Sequence, residues 1–243
     1  MERLGLGDEL MRERYSRHLT LAEIGEAGQQ KLARSSVLLV GVGGLGSAIA
    51  LYLAAAGVGK LGLVDPDVVS LSNLQRQVLY TEAEVGEPKV VCAARRLQAL
   101  NSQLEVACHA EFLTEQNADG LLAGYDLIVD GCDNFTTRYV MDRISAKQQK
   151  PYVYGSIGEF HGQVSVFNFE GGVSYRDLFP EENQPLPTEK PIAPPGVMGV
   201  VPGLIGCYEA AEVIKLITGA GDILAGRLLT VDLLTMNHRI LNL

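Results

Sequence analysis

Val37-Leu38-Leu39-Val40-Gly41-Val42-Gly43-Gly44-Leu45-Gly46 is an apolar run that ends in a cluster of glycines, and Ala48 to Ala56 continues it as a helix former. The spacing predicts a strand, a glycine turn and a helix. That layout brings phosphate groups to a helix N-terminus, where free N–H groups and the helix dipole both favour an anion. Gly41, Gly43, Gly44 and Gly46 let the chain turn sharply and let a ligand approach the backbone. Alone, a G-x-G-x-x-G pattern points to a nicotinamide or flavin cofactor, or to a tight turn that holds no ligand. The residues that follow it decide between these.

Asp65 lies nineteen residues beyond Gly46 and closes the next apolar run, Leu61-Gly62-Leu63-Val64. A carboxylate at that place accepts hydrogen bonds from ribose hydroxyls, or else serves as a turn residue. Asp67 follows, and then the polar block Ser72-Asn73-Leu74-Gln75-Arg76-Gln77. Asn73, Arg76 and Gln77 fall just past the second strand and face the same crevice. A guanidinium there can contact two phosphate oxygens at once. Lys89 adds a point charge at the start of the next helix. Each of these cations taken singly would be an ordinary solvated group; together they suit a triphosphate. Asp133 follows the strand Leu127-Ile128-Val129-Asp130 at the sheet's C-terminal edge. It can hold Mg²⁺ against phosphate oxygens, and Asp133 or Asn134 also suits the N-cap of the following helix.

Strands are expected at Val37–Val40, Leu61–Val64, Leu104–Cys108, Asp126–Asp130 and Tyr152–Ser156. Helices are expected at Leu45–Ala56, Lys89–Leu100, Glu115–Ala123 and Thr136–Lys147. The alternation implies an α/β fold, a Rossmann-like doubly wound and mainly parallel sheet. Two N-terminal helices, Asp8 to His18 and Leu21 to Arg34, precede it. Gln163 to Phe169 alternates as a half-buried strand, so antiparallel strands are added on the C-terminal side. Pro180 to Pro202 holds seven of the ten prolines and reads as an irregular loop. A helix from about Val201 to Ile217, stopped by Gly219, and strands Leu228–Asp232 and Asn237–Leu241 complete the chain. No linker divides it, so residues 1–243 are expected to form one domain.

Across 243 residues, 47% hydrophobic and 20% charged content describes a globule with a buried core. A net charge of −9 argues against a nucleic-acid or anionic-membrane partner. Met1 to Arg17 lacks the apolar segment of a signal peptide, no stretch suits a membrane span, and a cytoplasmic location is expected. Cys92, Cys108, Cys132 and Cys207 form no C-x-x-C pair, so neither zinc nor a redox dithiol is indicated. His18, His109, His161 and His238 show no carboxylate or nucleophile partner at sequence level.

The chain resembles the adenylating enzymes of the ThiF/MoeB/HesA family, relatives of the ubiquitin-activating enzymes. The resemblance runs from about Arg14 to Asp232. It rests on Arg14-Tyr15-Ser16-Arg17, the glycine loop, Asp65-Pro66-Asp67, Ser72 to Gln77, Pro88-Lys89 and Asp133-Asn134-Phe135-Thr136-Thr137-Arg138. It implies binding of ATP with Mg²⁺ and of the C-terminal Gly-Gly tail of a small ubiquitin-like sulfur carrier. The tail carboxylate would attack the α-phosphate, giving an acyl-adenylate and pyrophosphate, for sulfur transfer in thiamine, molybdopterin or related biosynthesis. It further implies ribose binding by Asp65, phosphate binding by Asn73, Arg76 and Lys89, and Mg²⁺ at Asp133. Arg17 would reach the partner subunit's site in a homodimer, and residues 157–243 would receive the carrier. Two departures stand out. Many relatives bind zinc through two C-x-x-C pairs; here the first region reads Ser174-Tyr175-Arg176-Asp177-Leu178, so no zinc is expected. Many also carry a cysteine in the crossover loop, near Ile192 here, yet no cysteine lies between Cys132 and Cys207. Adenylation alone, with sulfur supplied by another protein, is the expectation. Adenylation of a short peptide, a nucleotide-binding scaffold and an NAD-dependent dehydrogenase remain as alternatives; the last leaves Arg76, Lys89 and Asp133 without a task.

Overall fold

The computed structural model describes residues 6–183 and 196–243. The first half alternates strand and helix: β1 (Ser36–Val40), α4 (Gly44–Ala56), β2 (Lys60–Val64), α5 (Lys89–Leu100), β3 (Glu105–His109), α6 (Ala118–Ala123), β4 (Leu127–Asp130) and α7 (Phe135–Gln148). Before it lie α1 (Leu6–Arg14), α2 (Ser16–Leu19) and α3 (Gly25–Arg34). After it come β5 (Tyr152–Gly158), β6 (His161–Phe167), the short α8 (Tyr175–Leu178), the long α9 (Val200–Thr218), β7 (Arg227–Asp232) and β8 (Asn237–Asn242).

Among the described residues the strands form one sheet in the order β3-β2-β1-β4-β5-β6-β7-β8. β3 to β5 pair in parallel through β1, with Val40 level with Val64 on one side and Asp130 on the other. From β5 onward every pairing is antiparallel, as the alternation in Gln163 to Phe169 requires. The order reverses between β1 and β4, and a crevice for a ligand opens at such a switch point. Strand β1 is a continuous apolar run because both its faces are covered. Leu39 packs with Ile49, Leu53, Leu63 and Ile205 on one side; Leu38 packs with Ile128, Met141, Tyr152 and Phe167 on the other. Burying each such leucine contributes about 2 kcal/mol.

Several boundaries differ from the sequence reading. The first helix breaks at Tyr15, whose φ of −101° and ψ of 17° are not helical. Its ring is drawn into the core beside Gly57, and its hydroxyl receives a 3.0 Å hydrogen bond from Asn101. The second helix begins at Gly25 and not Leu21, after a turn with Gly25 at φ +53°. Residues 115–117 do not join α6, because Asn117 Oδ1 accepts the Thr114 N–H at 2.8 Å and builds a turn there. β6 ends at Phe167; Asn168 and Glu170 then take left-handed φ values of 57° and 51°. The sequence reading let the proline-rich loop, to Pro202, overlap a helix from about Val201; α9 begins at Val200, so Val201 and Pro202 belong to the helix. Proline is tolerated there because the first-turn N–H groups have no intrahelical partner. Ile192 and the rest of residues 184–195 lie outside the described residues. No described helix is long and apolar enough to cross a membrane.

Candidate functional site

The N-terminus of α4 is the base of the site. Its N-cap, Gly43, gives no side-chain hydrogen bond, so the first N–H groups of this 13-residue helix point outward unsatisfied. Gly41, at φ +89°, packs backbone to backbone against Gly131, and a methyl group on Gly41, Gly46 or Gly131 would collide with its neighbour's backbone. These three glycines therefore serve strand–turn packing. A Cβ on Gly43 would meet only Gln77 Nε2, at 3.5 Å, so Gly43 is the glycine that leaves room for a ligand. Tyr80 braces the loop from below by donating to the Val42 carbonyl at 2.7 Å.

Asp65, at the exit of β2, is 6% exposed. One oxygen accepts the Val42 N–H at 2.8 Å and the other accepts the Asp67 N–H at 2.9 Å. Burial pushes its carboxyl above the ordinary range, against the pull of Lys89 and of those two N–H groups. Lys89 opens α5 and is 4% exposed; its ammonium lies 2.8 Å from Asp67 and 3.9 Å from Asp65. The Asn73 carbonyl accepts the N–H groups of Arg76 and Gln77, which coils the polar block into a turn over the glycine loop. The Arg76 stem passes 3.6 Å from a Cβ position on Gly44, and among the described residues its guanidinium has only a loose 3.3 Å contact with the Ser72 carbonyl. Gln77 is buried with its Oε1 unpartnered among the described residues. The glycine loop, Asp65, Asp67, Arg76, Gln77 and Lys89 thus gather at the N-terminal end of α4, with Asn73 tied to them through its carbonyl.

Asp133 follows β4 on the same edge of the sheet. Asn134 takes the N-cap role for α7, accepting the Thr137 N–H at 2.9 Å, which leaves the Asp133 carboxylate exposed with no hydrogen-bond partner among the described residues. Arg17 is not part of this crevice. Its neighbours Tyr15 and His18 are tied to the other end of α4, through Gly57 and through Gln29, which donates to the Ala56 carbonyl at 2.9 Å. A helix of that length separates the two ends by about 20 Å.

The site floor was not anticipated. Asp130 is fully buried and accepts from Arg138 Nε, Tyr152 Oη and the Cys132 N–H, at 2.9, 2.9 and 3.0 Å. Arg138 also donates to the carbonyls of Cys132 and Gly155, which ties β4, β5 and α7 together beneath the crevice. An aspartate ending an apolar strand, eight residues before an arginine, was the available signal. His161 does have a carboxylate partner, Asp232 at 3.6 Å across β6 and β7. Burial pushes all four thiols up from the ordinary cysteine range.

Comparison with known proteins gives the family. The ThiF family model matches residues 15–243. The chain is 46% identical over 233 residues to the sulfur carrier protein adenylyltransferase of Thermus thermophilus, covering 93% of this chain and 85% of that protein. It is 49% identical over 220 residues to the adenylyltransferase and sulfurtransferase MOCS3 of Aedes aegypti, covering 90% of this chain but 50% of that protein. The chain therefore spans about half the length of some of its curated relatives. Among solved structures, PaaA superposes with a TM-score of 0.83 at 24% identity, covering all of this chain and 76% of that one. MccB of E. coli, solved with MccA-N7isoASN, superposes with a TM-score of 0.83 at 22% identity, covering 95% of this chain and 71% of that one. These two likenesses speak for the fold alone. With the family model matched over nearly its whole length, the chain belongs to the ThiF family.

Proposed function

We propose that the chain adenylates the C-terminal carboxylate of a small ubiquitin-like sulfur-carrier protein at the expense of ATP. The observation that carries this reading is the uncapped N-terminus of α4, open at Gly43 and ringed by Asp65, Arg76, Gln77 and Lys89. A helix end of this kind favours phosphate, and two cations beside it suit a triphosphate better than a nicotinamide pyrophosphate. The name of the Thermus thermophilus relative, which matches this chain along most of its length, supports a sulfur carrier as the acceptor.

In this reading Asp65 holds the ribose, its orientation fixed by two backbone N–H groups. Asn73, Arg76, Gln77 and Lys89 grip the phosphates. Asp133 would hold Mg²⁺, which neutralises phosphate charge when bound. A tail carboxylate oxygen attacks the α-phosphorus, the new O–P bond forms, and the α–β bridging bond breaks. Pyrophosphate leaves with the electron pair, so no protein nucleophile and no proton transfer are needed. The protein supplies position and fixed charge. With no cysteine between Cys132 and Cys207, the acyl-adenylate is handed to an outside nucleophile and is not held as a thioester on the crossover loop. The whole chain acts as one domain, without zinc. The exposed Tyr52 of α4, which Cys207 of α9 contacts, is apolar surface that a homodimer contact would cover.

ATP–pyrophosphate exchange with carriers that end in Gly-Gly tests the reading. Exchange is expected with at least one carrier, and Arg76→Ala or Lys89→Ala is expected to slow it by roughly 10²–10³. A near-normal rate in either variant removes that residue from the mechanism, and one zinc per chain by metal analysis would refute the zinc-free proposal.

A further inference from the structure

Lys89 is the deepest cation of the crevice, and it is already paired. Asp67 holds its ammonium at 2.8 Å while the Asp67 side chain itself is 63% exposed; Asp65 stands at 3.9 Å and is 7% exposed. A phosphate arriving at Lys89 would bring a third anion against one cation in a site screened from water, where charges interact strongly. One carboxylate has to yield. Asp65 is pinned, because each of its oxygens accepts a backbone N–H, from Val42 and from Asp67. Asp67 is pinned only through its main chain, whose carbonyl accepts the Lys89 N–H at 2.9 Å. Its carboxylate has no other hydrogen bond among the described residues and faces water.

We propose that Asp67 is an exchangeable counter-ion: it occupies the phosphate position on Lys89 in the empty enzyme and swings into solvent when the triphosphate binds. This rests on the nucleotide reading above and adds a role for Asp67 that differs from direct contact with the ligand. Without such a stand-in, an ammonium this deeply buried would keep only Asp65, at 3.9 Å and beyond hydrogen-bond reach, before ATP arrives, which is destabilising. The carboxylate keeps the lysine extended toward the crevice and then competes weakly with the phosphate that replaces it.

Titration calorimetry of the full chain with ATP·Mg²⁺, together with thermal unfolding, tests the exchange through Asp67→Asn. The variant is expected to unfold at lower temperature when empty, to bind ATP about threefold to tenfold more tightly because its competitor is gone, and to match the wild type in melting temperature at saturating ATP. Equal or weaker ATP binding by the variant overturns the exchange while leaving the nucleotide reading intact. Absence of ATP binding by both proteins removes the nucleotide reading and the exchange with it. If the variant does not fold, carbodiimide labelling of the wild type decides. Labelling of the Asp67 carboxylate should rise when ATP·Mg²⁺ is added, and unchanged or reduced labelling overturns the proposal.

Discussion

Glu209 is fully buried on α9, and neither carboxylate oxygen has a hydrogen-bond partner among the described residues. Its carboxyl presses on Gly155 of β5, directly beneath the site floor. Burial pushes its pKa well above the carboxylate range, and Asp130 adds to the push. In the unfolded chain a glutamate ionises near pH 4.3. Below that value both states carry the proton and Glu209 costs no ionisation energy. As pH rises above it, the unfolded state gains by losing the proton while the folded state cannot, so stability falls. Glu209→Gln is nearly the same shape and has no proton to hold. It should raise stability by about 1–3 kcal/mol at neutral pH and leave it nearly unchanged near pH 4. Denaturant midpoints at the two pH values measure this, and a wild type at least as stable as the variant at neutral pH would show that the carboxylate has a partner.

The elements around the crevice are locked by close backbone approaches. Gly206 and Pro202 of α9 lie against Leu45 and Gly44 of α4, and Gly199, just before α9, lies against Gln75 of the turn from Asn73 to Gln77. Gly199 has an ordinary φ of −58°, so alanine there meets no backbone strain. Its Cβ would collide with the Gln75 carbonyl and lie 2.6 Å from Gln75 Oε1. Gly199→Ala should therefore displace Arg76 and Gln77 and weaken ATP binding roughly tenfold, the effect of about 1–3 kcal/mol of overpacking. Gly196→Ala, with nothing within 4 Å of its Cβ among the described residues, is the control. Equal ATP dissociation constants for the two variants would show that the turn moves freely. The strands of this region were readable because buried parallel strands are unbroken apolar runs, and α5 and α4 because glycine and proline punctuate them. The break at Tyr15 was not, since it depends on Gly57 and Asn101, far along the chain. The Asp130–Arg138–Tyr152 floor was missed for the same reason: its members are ordinary strand and helix residues until the sheet register brings them together.

At the scale of the whole molecule, the polar set gathers on one edge of the sheet because each member follows a parallel strand, which is why sequence order alone was enough to collect it. Arg17 breaks that rule. It sits exposed near the far end of α4, about 20 Å from Gly43, and an arginine side chain cannot span that distance. A role in catalysis then requires a second copy whose N-terminal helices lie over this crevice. Such a composite site can be tested by complementation. Arg17→Ala and Arg76→Ala are each expected to abolish most pyrophosphate exchange as homodimers. Mixed after dissociation and reassociation, half of the dimers pair one of each, and each of these holds one crevice with Arg76 from its own chain and Arg17 from its partner. Activity should return to about a quarter of the wild-type rate, the statistical yield for a two-fold assembly. Full activity of Arg17→Ala alone, or no recovery on mixing, would place Arg17 outside the mechanism.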